Sequence, residues 1–280
     1  MSIHERSSGT AGPTIEHVVS VDGTRIGFER LGAGPPLVVV HGGTADRSRW
    51  APVAPALAAR RTVLLVDRRG RGASGENAQS DYSLGVEVDD LVAVVEAAAD
   101  RFGTPVALLG HSFGALCALE ALLRTDRIVR AVLYEPPFAT PGLPVLRPGV
   151  LERMQRQLDA GDREAVLETM FIDVGGAGRA TFELLRRSPA WPARIDAVPT
   201  LLREVREVDS YVFDPDRFSA ITTPTSFLAG TESAAYLQAA AAVASAALPN
   251  GEVVRLPGQA HHAMDTAPQL FLDEVNGHLE

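Results

Sequence analysis

The chain has 280 residues, 46% of them hydrophobic, which is enough for one sizeable core or for a core with an inserted lobe. Its 26 Lys and Arg against 35 Asp and Glu leave a net charge of −9, so there is no electrostatic case for nucleic acid or an anionic membrane as partner. A single cysteine, Cys117, excludes an internal disulfide, and no stretch reaches the ~18 uninterrupted apolar residues of a membrane span. The first residues, MSIHERSSGTAGPT, lack the apolar core of a signal peptide, so a cytoplasmic location is expected.

In chain order, residues 1–13 read as a flexible lead-in. Residues 14–20 and 24–30 alternate apolar and polar positions around Asp22-Gly23, a hairpin pattern. PLVVV (36–40) is a continuous β-branched run, hence a buried strand, and it ends in His41-Gly42-Gly43. A helical stretch over about 48–59 precedes a second buried strand, 62–66, which runs into the glycine-rich turn DRRGRGASG. Within that turn Arg68, Arg69 and Arg71 cluster, but they form one turn and not a basic face; Asp67 and Arg69 read as turn-stabilising. Residues 83–101 place Val88, Leu91, Val92 and Val95 on one helical face. A strand at 106–109, a helix at 115–124 and a strand at 130–134 follow, the last ending at Glu135-Pro136-Pro137. The β pattern then lapses. Residues 138–218 are helical and polar, broken by Pro and Gly, with helices expected at 150–158, 163–171 and 181–187. Alternation resumes with a strand at 225–229, an Ala-rich helix to 247 and a strand at 252–256. Thr266 and Gln269 fit a capping box for the last helix. The architecture implied is α/β: a mostly parallel sheet flanked by helices (1–137 and 219–280), interrupted by a helical lid (138–218).

In such sheets reacting groups collect at the carboxyl ends of the strands. Those ends carry His41-Gly42-Gly43, Ser112, Glu135, the turn Gly230-Thr231-Glu232-Ser233, and Gly258-Gln259-Ala260-His261. Ser112 lies in Gly110-His111-Ser112-Phe113-Gly114, a G-x-S-x-G between a strand and a helix. On so sharp a turn the serine hydroxyl stands exposed above the sheet, and the two glycines let neighbouring backbones approach. The following helix directs its free N–H groups toward the place where an oxyanion would form. Ser112 is the candidate nucleophile, and Phe113, the residue after it, the first oxyanion donor.

The markers LVVVHGG, DRRGRGASG, GHSFG and LPGQAHHAMDTAP, in this order and spacing, resemble the α/β-hydrolase fold superfamily, in its lid-bearing branch of small esterase-like serine hydrolases. The resemblance runs from about Ile15 to the C-terminus. It implies His261 as the base, with Pro268 where the family pattern has proline and Ala260 in place of the usual glycine. His262 is then left a supporting or surface place, and His111 packs in support of the turn. It implies the Gly43 N–H as second oxyanion donor, with His41 steadying that loop. The family's usual aspartate position falls on Ser233, which carries no charge. Some relatives take the acid from the preceding strand end, and Glu135 stands there. Glu135 is therefore preferred as the acid, with Glu232 the alternative. The larger apolar residues of the lid, Met154, Met170, Phe171, Trp191, Leu201, Leu202 and Tyr211, read as packing, and none is assigned to binding.

The leading function is cleavage of a carboxylic ester, thioester or lactone through an acyl-enzyme. The substrate would be a small apolar acyl compound, and the enzyme a monomer or homodimer. A serine rather than an aspartate nucleophile argues against dehalogenase or epoxide hydrolase chemistry. GRGASG has the wrong spacing for a dinucleotide site, and no metal-ligand cluster stands out, so neither a cofactor nor a metal is expected. Carbon–carbon bond hydrolysis, lyase or cyclase chemistry in the same pocket is the second reading, and a non-catalytic binding module the third.

Overall fold

A computed structural model describes residues 14–77 and 81–280; the expected lead-in, 1–13, lies outside them. Eight strands make one sheet: β1 (Ile15–Val19), β2 (Arg25–Leu31), β3 (Pro36–Val40), β4 (Thr62–Val66), β5 (Val106–His111), β6 (Ile128–Tyr134), β7 (Thr225–Gly230) and β8 (Gly251–Leu256). Their order is β1-β2-β4-β3-β5-β6-β7-β8. β2 is antiparallel to β1 and β4, and every other pairing is parallel. The apolar runs dictate this burial: every residue of β3, β4 and β5 is buried, as a parallel strand covered on both faces requires.

Ten helices cover the sheet, among the described residues: α1 (Ala54–Ala58), α2 (Leu84–Phe102), α3 (Phe113–Ala121), α4 (Val150–Asp159), α5 (Arg163–Glu168), α6 (Arg179–Arg186), α7 (Trp191–Ser210), α8 (Ala235–Ala247), α9 (Ala263–Thr266) and α10 (Pro268–Leu279). Side chains alternate across each strand, so Val38 and Val40 join one core with α2, α3, α8 and the helices inserted between β6 and β7. Leu37 and Val39 join the opposite core with α1 and α10. The helix α3 has no polar face; all nine of its residues, Cys117 included, are buried. Helices α4 to α7 lie between β6 and β7 in the chain, as the lapse of the β pattern implies. None of the described helices is long and apolar enough to cross a membrane.

Two details differ from expectation. The helix expected at 163–171 stays α-helical only to Glu168, and residues 169–174 form a wider π-helical turn. Thr266 does not cap the last helix. It closes the short α9, and its hydroxyl donates to Gln259 Oε1 at 2.7 Å. Pro268 starts α10 instead, where a missing N–H costs nothing.

The chain leaves β3 toward β4 on one side and reaches β5 on the other, so a crevice opens between the carboxyl ends of β3 and β5. Gly42, Gly43 and Ser112 stand at that crevice.

Candidate active site

The turn after β5 holds Ser112 at φ +55 and ψ −126, a conformation that L-residues rarely adopt. The flanking glycines make it possible. A Cβ on Gly110 would lie 2.7 Å from Ala115 Cα, and one on Gly114 would press into the Val40 and His41 carbonyls. Ser112 N–H donates to Tyr134 O at 2.8 Å, tying the turn to β6. The Ser112 side chain remains half-buried at the pocket wall.

His261 reaches the same pocket from the loop after β8. Its Nδ1 donates to Glu135 Oε2 at 2.5 Å. Glu135 is fully buried, and its other oxygen accepts from Gly230 N–H at 2.7 Å. The carboxylate on Nδ1 fixes the tautomer, leaving Nε2 with its lone pair. Glu135 is also strained, at φ +50, and Pro136 and Pro137 follow it. The alternative acid, Glu232, is exposed, with its backbone N–H bonded to Gln259 O. The structure thus brings Ser112, His261 and Glu135 together and leaves Glu232 on the surface.

Neighbours from the sheet hold the histidine loop. His111 Nε2 donates to His261 O at 3.0 Å. Tyr134 OH donates to Ala260 O and accepts from Ala263 N–H at 3.2 Å. His262 is buried and lines the pocket, so it holds no surface position. Burial pushes the imidazoles of His111 and His262 well below the ordinary histidine range, and the Arg49 charge adds to this at both.

The loop after β3 is held by the arginine turn. His41, fully buried, accepts at Nε2 from Arg68 N–H (3.1 Å). Burial and the Arg68 and Arg71 charges push its imidazole down as well. Arg68 Nη1 donates to Gly42 O at 3.1 Å, and Arg71 Nη1 donates to Gly43 O and Ala45 O at 2.5 and 2.9 Å. In a trans peptide the C=O and the next N–H point opposite ways. A Gly42 carbonyl drawn to Arg68 therefore aims the Gly43 N–H away from that guanidinium. The two arginines are neutralised from two directions. Glu87 of α2 pairs with Arg68 at 2.9 Å, and Glu204 of α7 pairs with Arg68 at 2.7 Å and also with Arg71. The Arg68 guanidinium also lies 4.5 Å from the centre of the Phe113 ring. Asp67 and Arg69 stabilise the turn as expected, with Asp67 accepting from Arg47 and Ala73 N–H and Arg69 pairing with Asp90 and Asp22.

These groups surround a pocket between the sheet and the inserted helices. Met170, Phe171 and Leu201, expected as packing alone, line it, because the π-helical turn and α7 face the crevice. Met154, Trp191, Leu202 and Tyr211 do pack away from its wall. Three charged residues of the wall were not singled out from the sequence: Arg49, Arg194 and Glu204. Arg49 pairs with Asp265 at 2.6 Å. Arg194 is buried, and desolvation, with Arg49 nearby, pulls its guanidinium down to about 9. A signal for Arg194 was present. Arg194, Val198, Leu201 and Val205 recur at helical spacing, so the arginine lies in phase with an apolar stripe.

The sheet order, with a strained serine on the turn after β5, is that of the α/β-hydrolase fold. Residues 37–274 match the sequence profile of the alpha/beta hydrolase family, and the chain belongs to that family of enzymes. A crystal structure of an alpha/beta hydrolase from Sphaerobacter thermophilus superposes with a TM-score of 0.81 at 31% identity, covering 95% of this chain and all of that one. Among curated proteins, the chain is 23% identical to 2-(acetamidomethylene)succinate hydrolase of Mesorhizobium japonicum over 95% of each chain. It is 26% identical to pimeloyl-[acyl-carrier protein] methyl ester esterase of Aeromonas hydrophila, over 89% of this chain and 97% of that protein.

Proposed function

We propose that the protein is a serine hydrolase that cleaves a carboxylic ester, thioester or lactone of a small molecule through an acyl-enzyme. One observation carries this reading: the buried 2.5 Å bond from His261 Nδ1 to Glu135, made by a histidine that lines the same pocket as Ser112. Ser112 Oγ attacks the substrate carbonyl carbon while His261 Nε2 takes its proton. Glu135 stabilises the imidazolium that forms. The carbonyl oxygen becomes an oxyanion and accepts from the N–H groups of Phe113 and Gly43. As the tetrahedral intermediate collapses, the bond to the leaving group breaks and His261 returns the proton to that group. Water, deprotonated by His261, then attacks the acyl-enzyme, and Ser112 is restored with release of the acid. The esterase name of the Aeromonas relative supports the ester over other bonds.

The test combines a fluorophosphonate probe with a panel of p-nitrophenyl esters. Wild type is expected to be labelled on Ser112 and to turn over short esters, and Ser112→Ala to lose both. Turnover of no ester, or labelling that survives in Ser112→Ala, overturns the proposal. Ester turnover without labelling points to a non-covalent route in the same pocket.

A further inference from the structure

The pocket holds a cation for which the proposed reaction has no use. Arg194, near the start of α7, is 2% exposed and lines the wall together with Ser112 and His261. Its Nη1 donates to Thr44 O and Thr44 Oγ1, both at 3.1 Å, and its guanidinium lies 5.2 Å from the centre of the Phe171 ring. Its Nε is buried and has no acceptor. Among the described residues no carboxylate lies within 4 Å of it, and Asp265 and Asp46 act on it only from beyond that distance. The arginines buried around the site differ. Arg49 meets Asp265, Arg68 meets Glu87 and Glu204, Arg69 meets Asp90, and Arg71 meets Glu204. Those carboxylates are already engaged. What else surrounds Arg194 in the pocket is largely apolar, including Met170, Phe171, Val174 and Leu201.

A guanidinium taken out of water without an anion loses hydration and regains little. Its planar fork of donors matches a carboxylate in two parallel hydrogen bonds. We propose that Arg194 is the seat of a carboxylate carried on the acyl side of the substrate, so that the enzyme prefers monoesters of short dicarboxylic acids to neutral esters. The inference names the substrate class of the site and rests on the ester-hydrolase reading. The carboxylate supplies the missing counter-charge on binding, and the lid helix that carries Arg194 thereby selects the acyl group.

Turnover of monomethyl glutarate and monomethyl adipate, followed by proton release, is compared with that of methyl valerate and methyl hexanoate. Wild type is expected to favour the monoacids in kcat/KM, and the ratio of monoacid to neutral ester is expected to fall about 30-fold or more in Arg194→Met. Free glutarate, which needs no turnover, is expected to raise the Tm of wild type and not of Arg194→Met. Methionine replaces an un-neutralised charge with an apolar chain of similar length, so the variant keeps its fold. Arg194→Lys, which keeps the charge without the fork, serves as the second variant and is expected to retain part of the preference. A wild type that treats both ester classes alike, or a glutarate shift that persists in Arg194→Met, overturns the inference and leaves ester hydrolysis standing. A glutarate shift specific to wild type, with no ester turned over, overturns ester hydrolysis and leaves the carboxylate site standing.

Discussion

Among the described residues, two that are not glycine adopt positive φ, and they are Ser112 and Glu135. Backbone strain of this kind costs of order 1–3 kcal/mol per residue and persists where the surroundings over-determine it. Ser112 is held by the glycines beside it and by its bond to Tyr134 O. Glu135 is held by its N–H bond to Leu228 O and by two carboxylate bonds, to His261 and Gly230. The proposed division of labour between the two glutamates has a direct measure. Glu135→Gln removes the charge that stabilises the imidazolium and is expected to lower kcat on the order of 10³–10⁴-fold, KM changing little. Glu232→Gln, at an exposed position, is expected to leave kcat/KM within about twofold of wild type. Steady-state kinetics on one good ester separates them, and the reverse pattern overturns the assignment. The sequence pointed to Glu135 because a glutamate at a strand's carboxyl end before two prolines has a fixed place and few ways to be solvated. It could not supply the positive φ, which arises from partners more than ninety residues away.

At the scale of elements, the arginine turn after β4 is a junction between the sheet and helix α7. From the sequence, Arg68, Arg69 and Arg71 read as a local cluster, because their carboxylate partners lie on α2 and α7, far along the chain. The helix α7 itself was not legible. Pro192 and Pro199 interrupt its sequence, yet Pro192 occupies the tolerated first turn and tertiary packing carries the helix through Pro199. In contrast, β3 and β4 were readable to the residue, since an uninterrupted β-branched run buried on both faces admits one reading. The junction predicts an effect at a distance. Glu204→Leu leaves Arg68 and Arg71 short of one anion in a dry site, and is expected to destabilise the protein by about 3–5 kcal/mol. Both arginines hold the carbonyls of Gly42 and Gly43, so the loop that aims the Gly43 N–H loosens too. Urea unfolding is expected to register the first effect, and a fall in kcat on a neutral ester the second. A midpoint equal to wild type would mean that Glu204 does not hold α7 to the sheet.

Over the whole molecule the surplus of negative charge lies outside, while the neighbourhood of the pocket is rich in buried cations and imidazoles. His41, His111 and His262 are all buried beside arginines, and each is pushed well below its ordinary value. This couples stability to pH in a defined sense. An imidazole with a folded pKa below its unfolded value near 6.5 refuses protons that the unfolded chain accepts. The stability it contributes is complete above about pH 6.5 and is lost as pH falls below it, by about 1.4 kcal/mol per pH unit for each such group. Asp90 works the other way. Burial raises its carboxyl to about 6, so its charged form weakens the fold as pH rises from about 4 to 6. The raw pH profile mixes both signs, and a difference between variants isolates one group. His262→Gln keeps a polar side chain of similar size and removes the titration. Between pH 6.5 and 5, its unfolding free energy is expected to fall less steeply than that of wild type, by about 1.4 kcal/mol per pH unit. Urea titrations at a series of pH values give both slopes. Equal slopes would mean that His262 takes up a proton in the folded pocket as readily as in the unfolded chain, so that neither its burial nor the nearby Arg49 charge disfavours the charged imidazole. The Arg194 charge also lowers this imidazole, so the slope of the folding curve and the selectivity assigned to Arg194 share one source in the field of that guanidinium.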